Sequence, residues 1–269
     1  MRVSLILLIT FFSAIGLLFV LPYFWMLINS FKTKAELLKY ASFFPQQLIL
    51  DNFKRVFEET PIFRWFMNSV TISGTGTLIV LFTSSICGFV FAKYDFRWKN
   101  ILFLYIIATM MVPSQTTMIP TFLLIEGIGL YDKLAALIIP GMISGFGIFL
   151  CRQFIENIPD SLCEAAAIDG AGPIYIYMHV IMPLIKPAMG ALIIFTFLAK
   201  WNDYLGPLLY LSDPINMTMP LALSFFASQH SMDTGATMAA AVLVMLPVTT
   251  VFLVLQKQFV EGIAIAGMK

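Results

Sequence analysis

Long stretches of this chain carry no charged side chain. From Val3 to Phe31 there is no Asp, Glu, Lys or Arg. A bilayer's hydrocarbon core is crossed by about 20 apolar residues, whereas a signal-peptide core has about 7–15. The opening run is therefore read as an uncleaved first membrane helix. Uncharged runs recur at Met67–Ala92, Asn100–Ile125, Leu134–Cys151 and Gly235–Gln256. Ala188–Leu211 is as long and as apolar but contains Lys200 and Asp203. Backbone groups in lipid must be satisfied within the segment, and strand alternation is absent, so all six are expected to be helices.

Composition excludes several other classes. Charged residues are 12% of the 269 and hydrophobic ones 59%, against about 25% charged in a soluble domain. A net charge of +1 lacks the basic surface that phosphate backbones require, so nucleic acid is not an expected partner. Cys87, Cys151 and Cys163 show no metal-binding spacing and read as reduced thiols. His179 and His230 are isolated in sequence. No metal site and no catalytic constellation is expected, and no phosphate-binding GxxxxGK[ST] loop is present. "GTGTLI" and "GFGIFL" lie inside spans and read as packing motifs.

Orientation rests on the short loops. Basic residues divide almost evenly between the two sides, but "KYDFRWK" concentrates Lys93, Arg97 and Lys99 between two spans. The positive-inside rule puts that loop in the cytosol, and with six spans both termini join it. The long, basic segment Lys32–Trp65 is then external, as is the loop Ser212–Thr234. Gly141 with Gly145, and Ser84 with Gly88, have the small-xxx-small spacing that permits close helix approach.

Three polar interruptions are left to explain. "MMVPSQTTMIP" breaks the third span at Pro113 and Pro120. Its Ser114, Gln115, Thr116 and Thr117 either line a cavity or satisfy a kink. "KWNDYLGPLL" puts Lys200 and Asp203 where charge is costly. They either pair at i, i+3 or mark a solute path with Trp201, Asn202 and Tyr204, whose amide and aromatic groups suit sugar hydroxyls and ring faces. "EAAAIDGAGPIYIYMHVIMPLIKP" (Glu164–Pro187) predicts a polar helix–turn–helix on the cytosolic side. Ser161 and Glu164 fit a capping box, and Gly170 a left-handed stop. Pro173 opens a second helix with Ile174, Tyr177, Met178 and Ile181 on one face, which Pro183 ends. Glu164 then reads either as a cap alone or as part of a surface that another protein approaches.

The last stretch resembles the EAA loop of permease subunits in ATP-binding-cassette importers. Glu164, Ala165, Ala166, Asp169, Gly170, Ala171 and Pro183 match the loop's pattern, with Tyr177 where Phe is usual. "RWFMNSV", "GIFLCRQFIENIP", "FTFLAKWNDYLGPLLYL" and "QKQFVEGIAIAGMK" resemble the carbohydrate-uptake subfamily of maltose-permease-G type. Cys163 before the Glu and "TGATMAAAVL" depart from the usual pattern. The resemblance implies an all-α membrane protein of six transmembrane helices, with the type I importer permease fold and a cytosolic EAA coupling loop. Residues 1–66 would be the first helix and an external loop, 67–260 a five-helix core with the coupling loop at 157–187, and 261–269 a tail reaching the ATPase dimer interface.

By the same resemblance the chain is half of a carbohydrate translocation path in a bacterial or archaeal inner membrane. Its partners would be a second homologous permease, two copies of a cytosolic ATPase and an extracytoplasmic solute-binding protein. It would be no enzyme and would bind no cofactor, ATP and Mg belonging to the ATPase. Glu164 would contact that ATPase, Ala165 and Ala166 would permit close packing, and Gly170 would make the turn. A secondary, ion-coupled transporter is the alternative, although it gives the Glu164–Pro187 stretch no purpose. An intramembrane enzyme would need a catalytic constellation.

Overall fold

A computed structural model describes residues 2–38, 42–229 and 233–266, with side chains described over 6–38, 42–229 and 233–257. Lys39, His230 and the end of the expected tail, 267–269, lie outside the described residues. All regular structure among the described residues is helical. Three helices are long and apolar enough to cross a membrane: Ile6–Asn29, Ile62–Lys93 and Thr234–Lys257. Three bent pairs supply the other crossings when each is taken as one span. Counted so, there are up to six spans, the number of apolar runs, although the last bent pair joins Pro173–Leu184 to Lys186–Trp201 where the run expected was Ala188–Leu211.

In chain order the helices are α1 (Arg2–Asn29), α2 (Lys34–Leu38), α3 (Asp51–Glu59), α4 (Ile62–Lys93), α5 (Lys99–Met110) and α6 (Ser114–Gly127). Then come α7 (Ala135–Ile138), α8 (Gly145–Glu156), α9 (Asp160–Ile168), α10 (Pro173–Tyr175), α11 (Met182–Leu184) and α12 (Lys186–Trp201). The last are α13 (Leu205–Tyr210), α14 (Met219–Gln229) and α15 (Thr234–Ala266). The expected external loop Ser212–Thr234 is thus not a plain loop but contains the apolar α14.

The chain divides into two compact units, Met1–Arg64 with Leu221–Pro247, and Trp65–Pro220 with Val248–Lys269. In the first, α1 is apolar on every side and exposes Leu7, Phe11, Leu18 and Phe19, the signature of a helix surrounded by lipid. Asn52 of α3 donates to the carbonyls of Ser30 and Lys32, 2.9 Å each. It lies so close to Gly235 that a Cβ there would sit 2.8 Å from its amide. Arg55 pairs with Asp233, whose carboxylate accepts from the Ala236 N–H at the start of α15.

In the second unit the α4 face of Ser69, Ser73, Thr77, Ser84 and Gly88 is buried. Small side chains let α8 approach: a Cβ on Gly147 would collide with Ser84, and one on Gly88 would lie 2.6 Å from Cys151 Cβ. The two small-xxx-small pairs of the sequence fare differently. Ser84 and Gly88 form a helix contact. Gly141 and Gly145 are separated by the break before α8, and each meets a different neighbour, Lys200 and Met110.

The third span bends by 98° between α5 and α6. Pro113 marks the break, and Pro120 is accommodated inside α6. Thr116 and Thr117 hydroxyls donate to the Pro113 and Ser114 carbonyls (2.7 and 2.9 Å), so the bend satisfies its own polar groups. The fifth span is shorter than expected: α12 stops at Trp201, and α13 begins at Leu205. The break falls on Asn202–Tyr204, within the polar interruption "KWNDYLGPLL".

Candidate functional site

The stretch Asp160–Leu184 forms a helical knob in the second unit. Its first helix starts two residues earlier than the sequence suggests. Pro159 is the N-cap, in extended conformation, and no side chain caps α9. The expected Ser161–Glu164 capping box is therefore absent. Pro159 has its φ fixed and lacks an N–H, so it sets the start of the helix. Asp160 then occupies the first turn, where a carboxylate favours the helix dipole. A long-range contact reinforces this start: Lys93 Nζ, at the end of α4, lies 2.6 Å from Asp160 Oδ1. That hydrogen bond, first, and the lysine's charge hold the Asp160 carboxyl below its usual range.

The turn follows expectation. Gly170 has φ +86°, a conformation that an L side chain adopts only at a cost. Gly170 N–H donates to Ala167 O (3.0 Å) and Ala171 N–H to Ala166 O (2.9 Å), the paired bonds of a Schellman stop. Gly172 caps the next helix, and Pro173 occupies its first turn.

The second helix differs in its buried face. Ile176–Ile181 is a π-helix between α10 and α11. Its wider turn buries Ile176, Tyr177 and Ile181 and leaves Ile174 and Met178 exposed. The expected face of Ile174, Tyr177, Met178 and Ile181 assumed 3.6 residues per turn, which a π segment does not keep. Pro183 lies within α11, and the chain breaks only at Ile185.

Inward, the knob is fastened to three spans. Ile176, Tyr177, Ile181 and Ile185 form one core with Phe89 of α4, Cys151 and Ile155 of α8, and Ala188 and Leu192 of α12. Ala166 and Ala171 are partly buried against the same core. Tyr177 Oη and Ser85 Oγ of α4 are 2.7 Å apart in a buried hydrogen bond. The hydroxyl that distinguishes Tyr177 from the usual Phe therefore has a partner.

Outward, the knob presents groups with no use inside the chain. Glu164 is exposed and its side chain makes no hydrogen bond or ion pair among the described residues, and Ala165 and Asp169 are exposed beside it. Ile168 and Ile174 are 86% and 76% exposed, with Leu162, Tyr175 and Met178 also open. These large apolar side chains are thus open to the surroundings on the same two helical segments as the exposed Glu164 carboxylate.

The Lys200–Tyr204 segment is arranged differently. Trp201 is 1% exposed, stacked on Phe197 (5.6 Å between centroids) and edge-on to Phe66 (6.0 Å). Asp203 Oδ1 accepts from the Gly206 N–H at 3.1 Å, holding the start of α13. Lys200 and Asp203 form no ion pair within 4 Å. Instead the Lys200 ammonium end lies against Gly76 of α4 and Gly141, where an added Cβ would be 2.9 and 2.8 Å from Nζ. Asn202 and Tyr204 are exposed, as is Gln115 at the start of α6. Sequence spacing brings Trp201, Asn202, Asp203 and Tyr204 together, whereas Gln115 sits at the start of α6 with its Oε1 3.5 Å from the Ser114 hydroxyl. Among the described residues no His, Cys, Asp and Glu cluster could hold a metal ion.

Comparisons with known proteins agree with this architecture. The chain is 35% identical to the arabinooligosaccharides transport system permease protein AraQ of Bacillus subtilis (strain 168), over 96% of this chain and 94% of that protein. It is 32% identical to the lactose transport system permease protein LacG of Rhizobium radiobacter, over 93% and 91%. A chain in the crystal structure of a bacterial ABC transporter involved in the import of the acidic polysaccharide alginate superposes with a TM-score of 0.83. It covers 96% of this chain and 97% of its own length, and at 23% identity this likeness shows the fold, that of an importer permease. Residues 84–265 match the model of the binding-protein-dependent transport system inner membrane components, a span that takes in the knob, α8, α12 and the last turns of α4. The chain is a member of that family, the inner-membrane permease subunits of binding-protein-dependent transport systems.

Proposed function

We propose that this subunit forms half of the translocation path of an ATP-driven carbohydrate importer and receives its drive through the Asp160–Leu184 knob. The observation that carries the reading is the two-sided knob. Its outward face holds the exposed Glu164, Ala165, Ile168 and Ile174, without side-chain partners among the described residues, and its inward face is packed on α4, α8 and α12. A partner that grips the outer face moves three spans together, because a packed core transmits displacement rather than absorbing it.

That partner is a cytosolic ATPase, present in two copies that hold ATP and Mg; this chain binds neither. A second, homologous permease completes the path, and an extracytoplasmic binding protein delivers the solute. Closure of the ATPase pair on ATP favours one of two openings of the bundle, by as much as its affinity differs between them. Lys93, Arg97 and Lys99 lie at the knob's end of α4, which supports a cytosolic placement of both and of the two termini. The carbohydrate reading draws on the relatives named for arabinooligosaccharides and lactose. On the solute path we place Gln115, Asn202 and Tyr204, which are exposed. Trp201 and Asp203 act beneath them by holding the break in shape.

Glu164→Ala tests the coupling assignment. Glu164 supports nothing inside the chain, so thermal unfolding of the purified permease should stay within about 0.5 kcal/mol of wild type. Losing one charge-assisted hydrogen bond to the ATPase costs about 1.5–3 kcal/mol, which weakens docking about tenfold or more. ATPase co-purification and ATP-dependent uptake should fall together. Wild-type uptake by Glu164→Ala would sink the assignment.

A further inference from the structure

The tight loop between α4 and α5 contains features that transport coupling does not use. A hollow of about 570 Å³ is lined by Asp95, Arg97, Trp98, Lys99, Asn100 and Arg152, among others. Its cations outnumber its anions. Lys99 is 3.1 Å from Asp95 and Arg152 2.7 Å from Glu156, but Arg97 has no carboxylate partner among the described residues. Its guanidinium lies over the Trp98 ring, 5.3 Å from the centroid. The Nε of Arg152 is buried without a hydrogen-bond partner. No side chain caps the start of α5; the Lys99 N–H donates to the Phe96 carbonyl (3.2 Å), and the N–H groups that follow it in the first turn add to the positive potential.

Trp98 is the most telling residue. Its φ is +72°, in the left-handed region, and it is 58% exposed. A bulky L residue is costly there and persists where something outside the local backbone rewards it. No apolar core holds this indole. Trp beside Arg and Lys is the composition of a membrane–water interface, and basic pockets at helix ends take lipid headgroups. Directly beyond the hollow, α5 exposes Ile101, Leu104 and Tyr105, a surface on which an acyl chain can lie. This apolar continuation favours a lipid over a free anion.

We infer that the hollow of Asp95–Ile101 and Arg152 binds the phosphate of an anionic phospholipid, with Arg97 and Lys99 on the phosphate and Trp98 at the headgroup boundary. The inference needs α5 to be a membrane helix and is independent of the ATPase-coupling reading.

The test uses the full transporter complex in nanodiscs of phosphatidylcholine with or without phosphatidylglycerol. Native mass spectrometry counts the lipid retained. Wild type should keep phosphatidylglycerol in preference to phosphatidylcholine, and the Arg97→Gln/Lys99→Gln variant should keep it about tenfold less well or worse, two surface charges having been removed. Millimolar inorganic phosphate should not displace it. Trp98→Gly should match or exceed wild type in detergent thermal stability, since glycine tolerates that φ, yet retain less lipid. Equal retention by wild type and the charge variant overturns the proposal, as does equal retention of the two lipids. Displacement by inorganic phosphate would assign the hollow to a free anion instead. Efficient cross-linking of Arg97→Cys to another subunit would assign it to a protein contact.

Discussion

The knob at Asp160–Leu184 and the break at Asn202–Tyr204 both set polar side chains against membrane-length helices, and they direct them oppositely. In the knob, Glu164 points away from the chain with large apolar residues open around it. At the break, Trp201 is sealed between Phe197 and Phe66, and Asp203 is engaged on Gly206. The sequence marks both regions equally as polar exceptions in an apolar chain. What separates them is whether each side chain already has a partner. Groups satisfied within the chain maintain its shape, and groups left open are available to another molecule.

The sharpest way to break this contrast is to truncate one large side chain on each side of it. Trp201→Ala removes a fully buried indole and should cost about 3–5 kcal/mol, enough to deplete folded protein in the membrane. Ile168→Ala removes a side chain that is 86% exposed and should change the isolated subunit by less than about 0.5 kcal/mol while weakening its hold on the ATPase. Detergent unfolding curves with ATPase co-purification read both. Equal stability losses would show that the knob's outer face is not free.

A smaller effect separates holding from solute contact at the break. Asp203→Ala strips the Gly206 N–H of its acceptor, which costs about 1–3 kcal/mol when the group is buried. Uptake should fall in step with folded protein, and the order of preference among sugars should not change. A changed preference at unchanged stability would move Asp203 onto the solute path.

Much of this organisation was legible beforehand, and the parts that were not share a cause. The six spans are carried by apolar length, and the Gly170 turn by two residues with strong local preferences. The helix start at Asp160 depends instead on Lys93, 67 residues away, so the nearby Ser161 and Glu164 suggested the wrong cap. The buried face of Tyr177 and Ile181 depends on a π-helix, whose extra residue per turn defeats a period of 3.6. The Lys200 end rests on two glycines of other helices, which spacing within "KWNDYLGPLL" cannot reveal, so an i, i+3 pair with Asp203 looked available.

Next in size is the Tyr177–Ser85 bond between knob and α4. Tyr177→Phe and Ser85→Ala should each cost about 1 kcal/mol, and the double variant less than their sum, since either change alone breaks the bond. Solute moved per ATP hydrolysed should fall in both single variants if the hydroxyl helps the knob to drag α4. Additive costs and unchanged stoichiometry would leave Tyr177 acting as the ring alone, as a Phe would.

The smallest effect belongs to a third polar region, Asp132, which lies between spans and outside the comparison's two members. Its carboxylate accepts from the Ser212 and Asp213 N–H groups (2.9 and 3.0 Å) and Asn216. The Ser212 bond, first among these, holds its carboxyl below the usual range. Because the folded-state pKa is depressed, the stabilisation is complete above the unfolded value of about 3.9 and disappears as pH falls through the folded one. Asn suits the residue's φ of +58° as well as Asp does, so Asp132→Asn isolates the charge. The wild type should exceed the variant by less than about 1 kcal/mol at neutral pH, as befits a partly exposed group screened by solvent, and the gap should close below about pH 4. A gap that persisted into acid would mean that geometry, not charge, makes Asp132 useful, and would put it with Asp203 among the side chains satisfied within the chain.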